Sequence, residues 1–421
     1  TITGSGTIAI DSTYQTYISH GETAYGWGNH ANAGYATQQW VTNQNFLTQS
    51  DGDGRYLKID FFRSLFRAYN SGGTEVQPNN GDTSTIDNKV EYIATKDGEY
   101  SYVALFNADD RKCEQAWIGM NEVGFAVMNT ASYNIKDDNV PQKKMDREGY
   151  LMTIALKSCR TVDDFAQLLS TLPRPMGVEA NFGVIDVEGN GAFFETNNDS
   201  YVRYNLDEAP GHVLIRTNYS HSGRENEGYG FVREANAEHL LQPYIVTRSV
   251  TAEVLTEVVS RSFYHDLKKK DMSLSGDKWV IDQDFIPRYK STATVVIEGI
   301  VPVADATELP TDYITEQYIM WTGIGYPPCS EILPVWCAEG GVPECLRGVG
   351  VNGHSPLGDE VKARRDDVFS LKKGNGNKYI DMTKLFNADG TGYVQRLTIL
   401  NRQTYEKTRR LRDSKTLNVN E

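Results

Sequence analysis

The stretch from Trp117 to Asn134, WIGMNEVGFAVMNTASYN, constrains the chain more than any other, because it joins a buried-strand pattern to polar groups that a buried strand must satisfy. Ile118, Met120, Val123, Phe125, Val127 and Met128 supply an apolar core, Gly119 and Gly124 let a neighbouring backbone come close, and the run ends in Asn129. The pattern predicts one buried strand. An asparagine leaving such a strand needs a partner for its amide. Either it ties down the following loop, or it points into a pocket and donates to a developing oxyanion.

At 421 residues the chain is long enough for two or more domains. Its 42 Lys plus Arg against 56 Asp plus Glu give a formal charge of -14 and a pI near 5.1. That balance argues against a nucleic-acid groove, which needs a basic face. No apolar run approaches the length of a membrane span. The chain opens on Thr1, with neither a methionine nor a signal peptide, so localisation is not readable from a targeting segment.

None of the cysteines, Cys113, Cys159, Cys329, Cys337 and Cys345, forms a Cys-x-x-Cys pair, so no zinc site is expected. Cys329, Cys337 and Cys345 recur every eight residues in a Pro- and Gly-rich segment. They either hold one disulfide in an oxidising compartment or are small buried hydrophobes. GNGNK at Gly374 to Lys378 has no following Ser or Thr and no preceding strand, and reads as a plain turn. No cofactor motif appears.

Residues 1–87 differ in kind from 88–421. They are rich in Gly, Thr, Asn, Gln and Tyr, lack cysteine, and carry aromatic and glycine pairs such as Tyr25 to Trp27 and Gly34 to Tyr35, spaced too closely for an independent core. Such a segment suits an intertwined fibre in which chains lend strands to one another. From about Thr23 to Asp87, YGWGNHANAGYATQQWV and GRYLKIDFFRSLFRAYN resemble tail-fibre segments of phages and prophages of Bacteroidota.

From Asn88 the pattern is that of a compact domain. NKVEYIATKDGEYSYVALFNA predicts a hairpin, and helices follow at about Asp146 to Cys159 and Thr161 to Leu172, the second opened by a Thr161/Asp164 capping box and stopped by Pro173. ANFGVIDVEGNGAFFETNN predicts a second hairpin turning at Gly189 to Gly191, and HVLIRTNYSHSG a strand ending in Asn218. Helices at about Phe231 to Tyr244 and Ala252 to Phe263 precede the strands STATVVIEGIV, EQYIMWTGIGY and EILPVWCAE, and DEVKARRDDVF and Tyr393 to Arg412 are helical again. This order is that of an α+β domain.

Asn129 and Asn218 thus occupy corresponding places, each ending an apolar run. GMNEVGFAVMNTASYN with RTNYSHSGRENEGYG resembles the choloylglycine hydrolase and acyl-coenzyme A:6-aminopenicillanic acid acyltransferase group of the N-terminal nucleophile (Ntn) hydrolases. The Bacteroidota forms are similar through MDREGY, LPRPMGVEANFGVID, GYPPCSEILPVW and the last helix, over about Asn88 to Arg412. The resemblance implies a four-layer αββα sandwich, two antiparallel sheets between helices, and a small-molecule substrate with a linear carbon-nitrogen amide bond. It implies a processed N-terminal cysteine as nucleophile, whose own α-amine, with a pKa near ~8, takes the thiol proton. It makes Asn129 and Asn218 the oxyanion-hole candidates.

The Cys-led hairpin of the family has no counterpart before NKVEY; FFRSLFRAYNSGGTEVQPNNGDTSTID stands there, and the join falls at about Ile86 to Lys89. The nucleophile is therefore expected to be absent and amide hydrolysis impaired. Cys113, in the polar loop NADDRKCEQAW, would be a new N-terminus only at the cost of the preceding strands. Cys329 reads as structural, and His221 and His354 are site candidates by residue type alone. The second reading is a structural or receptor-binding fibre protein that uses the domain as a non-catalytic head and self-associates through its N-terminal segment. The hydrolase reading implies a periplasmic or extracellular location, the fibre reading a virion.

Overall fold

The computed structural model describes residues 65–68, 87–96, 98–135, 139–141, 144–299 and 311–413. The fibre-like readings over 1–87 lie outside the described residues, save Asp87 and the strand β1 (Leu65–Ala68).

A seven-stranded antiparallel sheet holds β2 (Asn88–Ile93), β3 (Tyr102–Asn107), β4 (Ile118–Asn121), β5 (Ala126–Ala131), β6 (Ala180–Ile185), β7 (Gly191–Thr196) and β8 (Tyr201–Asn205), each beside the next. Both expected hairpins are present, as β2 with β3 and β6 with β7. Residues 117–134 differ from the expected single strand. They fold as the hairpin of β4 and β5, because Gly124, at φ 82°, reverses the chain and Asn121 closes the turn. The Asn121 N–H donates to the Phe125 carbonyl at 2.9 Å, and its Oδ1 accepts from the Phe125 N–H at 2.9 Å. Gly119 does allow a close approach: a Cβ there would stand 2.5 Å from the Val103 carbonyl oxygen.

One face of this sheet carries α1 (Glu148–Ser158) and α2 (Val162–Thr171). The capping box forms as expected, with Thr161 Oγ1 accepting from the Asp164 N–H and the Asp164 carboxylate from the Thr161 N–H. The Phe165 ring lies between Phe125, Phe182 and Phe194 of the sheet, with centroids 5.2 to 6.3 Å apart. Alternation sends Val127, Phe182 and Val184 to this helix side, and Met128, Ile185 and Phe193 to the other.

On the other side the core is shared with a second antiparallel sheet, ordered β1, β12 (Ala293–Glu298), β13 (Ile319–Ile324). Two small ribbons, β9 (Tyr264–His265) with β10 (Lys270–Asp271) and β11 (Trp279–Ile281) with β14 (Tyr379–Asp381), lie between the main elements in sequence. Val295 and Ile297 of β12 face the shared core, whereas Val296, Ile319 and Trp321 face a third apolar cluster with α3 (Phe231–Val246) and a π-helical turn, Val254–Val259. The remaining helices are α4 (Thr311–Gln317), α5 (Pro356–Val368), α6 (Met382–Leu385) and α7 (Tyr393–Asp413). Tyr405 of α7 completes the third cluster and meets Thr256 Oγ1 at 2.6 Å.

Two expectations are modified here. The π-helical turn replaces a regular helix over Ala252 to Phe263. EILPVWCAE is not a regular strand: Leu333 and Val335 exchange backbone bonds with Thr322 and Met320 at 2.8 to 3.1 Å, and Pro334 between them, on the edge away from β13, has no N–H to offer a further strand. GNGNK is a turn, with Gly374 and Gly376 both at positive φ. No described helix is long and apolar enough to cross a membrane.

Strand β1 comes from the N-terminal segment yet pairs with β12 from Leu65↔Glu298 to Ala68↔Val295. Removing residues 1–68 uncovers the β12 edge, whereas removing 1–59 leaves it covered. The shorter chain is expected to lose on the order of 2 kcal/mol relative to the longer one, from a few ladder hydrogen bonds at about 0.5 to 1.5 kcal/mol each, and to self-associate more. Urea unfolding and sedimentation of the two truncations test this; equal midpoints would refute it.

Glu148, at the start of α1, accepts the Glu179 N–H at 3.0 Å. Burial pushes its carboxyl up to about 7, with the nearby carboxylates of Asp146 and Glu179 adding to the shift. A carboxyl raised in the folded state binds its proton more tightly than the unfolded chain does, so its stabilising contribution is full below pH ~4.5 and is lost as pH rises towards 7. Glu148→Gln should flatten the stability profile between those values and be the more stable protein above pH 7. A parallel profile in the variant would count against it.

Candidate functional site

Three polar side chains stand abreast in the middle of the large sheet: Thr130 in β5, Asn181 in β6 and Glu195 in β7, paired Thr130↔Asn181 and Asn181↔Glu195. They share the face of Met128, Ile185 and Phe193, away from α1 and α2. Polar groups there need partners, and residues 216–222 supply them. Thr130 Oγ1 donates to the Thr217 carbonyl, which also accepts from Asn181 Nδ2 at 3.0 Å. Asn181 Nδ2 further reaches the Tyr219 carbonyl at 3.0 Å, and Asn181 Oδ1 accepts from Ser220 Oγ at 2.5 Å.

Glu195, wholly buried, accepts from Arg216 Nε at 2.6 Å and the His221 N–H at 2.9 Å on one oxygen. Its other oxygen accepts from the Ser222 N–H and hydroxyl at 2.6 and 2.5 Å. Burial opposes the Glu195 charge, but the Ser222 and His221 bonds and the Arg216 charge outweigh it and hold the carboxyl below its usual range. This row explains why HVLIRTNYSHSG is not the expected strand. Its backbone is satisfied by side chains projecting from the sheet, not by a ladder.

Asn134 pins the same loop from the end of the β4–β5 stretch. Its Oδ1 accepts from the Ser220 N–H at 2.8 Å and Ser132 Oγ at 3.1 Å, while Nδ2 donates to the Ser220 carbonyl at 2.8 Å and the Arg224 carbonyl at 3.3 Å. The side chain is fully buried, and Gly223 lies so close that a Cβ would meet Nδ2 at 2.5 Å.

Asn218 sits at the centre of the loop. Its Nδ2 donates to the Ala131 carbonyl at 2.8 Å and its Oδ1 accepts from Arg233 of α3 at 2.6 Å. Asn129 lies two residues before Ala131 but leaves β5 on the helix side, opposite Phe182, and is 8% exposed. Among the described residues its side chain makes no hydrogen bond. The two candidate asparagines therefore meet at the end of β5 but on different faces of the strand.

Behind Thr217 and Arg233 opens a cavity of about 150 Å³. Its walls are apolar, with Phe193, Leu214, Ala237, Leu241, Leu255 and Ile286 among them, and Arg216, Thr217 and Arg233 mark its polar side. Arg216 stacks over Tyr204 at 4.7 Å. His221 joins this neighbourhood through Nε2, 2.5 Å from Glu234 of α3. His354 belongs to a separate cluster, its ring between Asp359 at 2.9 Å and Asp87 at 3.5 Å. Asp87, His354 and Asp359 could in principle share a cation. However, Lys362 lies 3.0 Å from Asp87 and each ring nitrogen faces a different carboxylate, which makes the group an ion-pair cluster.

The five cysteines are free, so no disulfide joins Cys329, Cys337 and Cys345. Burial raises the thiol of Cys113 to about 11 and that of Cys159 to about 12, and pushes up Cys329, Cys337 and Cys345 as well. None is a thiolate at neutral pH, and none lies in the Asn218 loop. Sequence reasoning missed Thr130, Asn134, Asn181, Glu195, Arg216 and Arg233. The available signal was a polar residue within an apolar strand, at Asn181 in ANFGVI and Glu195 in GAFFET.

No family model and no curated protein matches the sequence. Among solved structures, the chain is similar to an N-acylethanolamine-hydrolyzing acid amidase ortholog from Caenorhabditis elegans, at 11% identity and a TM-score of 0.35, covering 62% of this chain and 93% of that one. It is similar to a variant of the conjugated bile acid hydrolase from Clostridium perfringens, at 10% identity and 0.33, covering 59% and 84%. Penicillin V acylase from Agrobacterium tumefaciens gives 13% identity and 0.32, covering 60% and 78%.

Asn134→Ala orphans the buried Ser220 N–H, at about 1 to 3 kcal/mol for an unsatisfied group, and removes the side-chain bonds to Ser132 and to the Ser220 and Arg224 carbonyls, of which the Ser220 carbonyl keeps the Gly223 N–H at 3.2 Å. The expected loss is on the order of 3 kcal/mol, read from the denaturation midpoint. A loss below about 1 kcal/mol would show that Asn134 does not anchor the loop.

Proposed function

We propose that residues 88–421 form a hydrolase domain of the Ntn class, with the αββα order of layers, acting on small-molecule amides. Within that class we assign it to the choloylglycine hydrolase and acyl-coenzyme A:6-aminopenicillanic acid acyltransferase group, which cleaves linear carbon-nitrogen amide bonds. The separated motifs that resemble this group in order support the assignment, and three apolar clusters on alternate sides of two sheets support the layer order.

The observation that carries the function is the clamped Asn218 amide beside an apolar cavity. One Nδ2 hydrogen is committed to Ala131, and the Arg233 guanidinium fixes Oδ1, so the second Nδ2 hydrogen has a defined direction. Such a donor, oriented before the reaction, stabilises the tetrahedral oxyanion formed when a nucleophile attacks an amide carbonyl. We assign Asn218 that role, with Asn129 as the second candidate. The cavity behind Thr217 and Arg233 takes the apolar acyl part.

Covalent catalysis also needs a thiolate and a base for its proton. Burial keeps every internal thiol protonated, which supports the reading that this chain holds the oxyanion side of the chemistry without its nucleophile. We further propose that the N-terminal segment mediates self-association.

The test is an assay of the purified chain against penicillin V, a glycine-conjugated bile acid and an N-acyl amino acid, beside a chain with a Cys-led hairpin restored before Asn88. Turnover is expected only after restoration, and Asn218→Ala in the restored chain should lower kcat roughly 100- to 1,000-fold. Activity in the unrestored chain that alkylation of one internal cysteine abolishes would place the nucleophile elsewhere.

A further inference from the structure

An aromatic rim stands beside the Asn218 loop, on residues the amide chemistry does not use. Tyr229 is 70% exposed, Phe231 57% and Tyr133 38%, and the Tyr133 and Tyr229 rings meet edge to face at 5.7 Å. Isolated exposed aromatics are ordinary, but this group is held in place by the backbone on both sides of Tyr229. Gly228, at φ +81°, packs so that a Cβ would lie 3.1 Å from the Asn134 nitrogen. Gly230, at φ +106°, packs so that a Cβ would lie 2.9 Å from the Asn218 nitrogen and 2.6 Å from Thr217 Oγ1. A Cβ at Gly230 would clash with Thr217 and the Asn218 backbone, one at Gly228 would crowd Asn134, and both positions disfavour L-residues by their φ alone.

The rim is joined directly to the site. The Tyr133 N–H donates to the Asn218 carbonyl, and Phe231 opens α3 two residues before Arg233, the side chain that fixes the Asn218 amide. In the same segment Arg224 pairs with Glu227 at 2.8 Å. An apolar cavity behind Thr217 and Arg233, together with exposed aromatic rings tied to the Asn218 loop, suits a substrate with an apolar group at each end of its amide.

We propose that Tyr133, Tyr229 and Phe231 form the subsite for the amine-side group of the amide substrate, and that they select a flat aromatic amine over an anionic amino acid. The proposal rests on the amide-site reading of Asn218. A ring of the substrate stacks on or edges against Tyr229 and Phe231, while the acyl chain enters the cavity behind Thr217 and Arg233. Among the described residues, the arginines of this segment are engaged, Arg224 with Glu227 and Arg233 with Asn218, so a carboxylate gains less from them than a ring gains from the aromatic side chains.

The full chain is titrated with two probes that share an acyl group, N-phenylhexanamide and N-hexanoylglycine, by ligand-observed NMR, which needs no turnover. The anilide is expected to bind roughly tenfold more tightly, the scale of one or two aromatic contacts. That ratio should fall to near one in Tyr229→Ser and in Phe231→Ser, and be retained in Tyr229→Phe and in Leu274→Ser, which removes an exposed apolar side chain elsewhere. Thermal melts of each variant separate loss of the rim from loss of the fold. Equal binding of both probes, or a preference that survives both serine substitutions in folded protein, overturns the rim assignment and leaves the amide site standing. Failure of the unaltered chain to bind either probe overturns the amide site and the rim with it.

Discussion

The buried carboxylate of Glu195 is the constraint on which the rest of the site depends. A charge placed inside a sheet costs several kcal/mol unless every lone pair is met, and here both oxygens are met by Arg216, His221 and Ser222. Those partners come from one loop, so satisfying the charge and placing the loop are a single event. Asn181 and Thr130 repeat the logic one and two strands away, each holding the Thr217 carbonyl. The loop is thereby fixed to three neighbouring strands by side chains, which leaves its own backbone free of a ladder and able to turn Asn218 towards α3.

How legible this was in the sequence follows from what each element relies on. Helix α2 was readable because its start is chemical and local: Thr161 and Asp164 cap each other within four residues. The β2–β3 and β6–β7 hairpins were readable because their partners are adjacent in the chain and their turns carry Gly. The Trp117 to Asn134 stretch was misjudged in its middle, because its continuous apolar run hides the reversal at Gly124. HVLIRTN has the alternation of a strand, but its partners are Thr130, Asn181 and Glu195, some twenty to ninety residues earlier, and no local pattern announces them. Asn134 was passed over for the same reason. Its value lies in its bonds to Ser220 and Arg224, which only the closed fold brings near.

The thiols show the complementary case. Cys329 and Cys337 were open to two readings, a disulfide or small buried hydrophobes, and burial decides for the second. The same burial that makes a cysteine useful in a core removes it from chemistry, since a thiol without solvent or a nearby cation holds its proton far above neutrality. Cys113 shows the balance: the Lys89 charge lowers its pKa, yet desolvation still leaves it at about 11. For the proposed acyl transfer, the described residues would therefore supply donors and a cavity, while their thiols stay protonated.

That division gives weight to the way Asn218 is held. An asparagine amide is nearly symmetric in shape, and its two ends are told apart only by what they face. Arg233 has only donors to offer, so the end towards it must be the oxygen; the Ala131 carbonyl only accepts, so the end towards it must be the nitrogen. The two neighbours agree, and a flipped amide would set donor against donor and acceptor against acceptor. The orientation is thus determined by the chemistry of the partners and does not have to be adopted during reaction, which is the condition under which a hydrogen-bond donor lowers a barrier most. Asn129 has no such pair of partners among the described residues. Of the two asparagines the sequence offered in equivalent positions, only Asn218 is built to keep one direction.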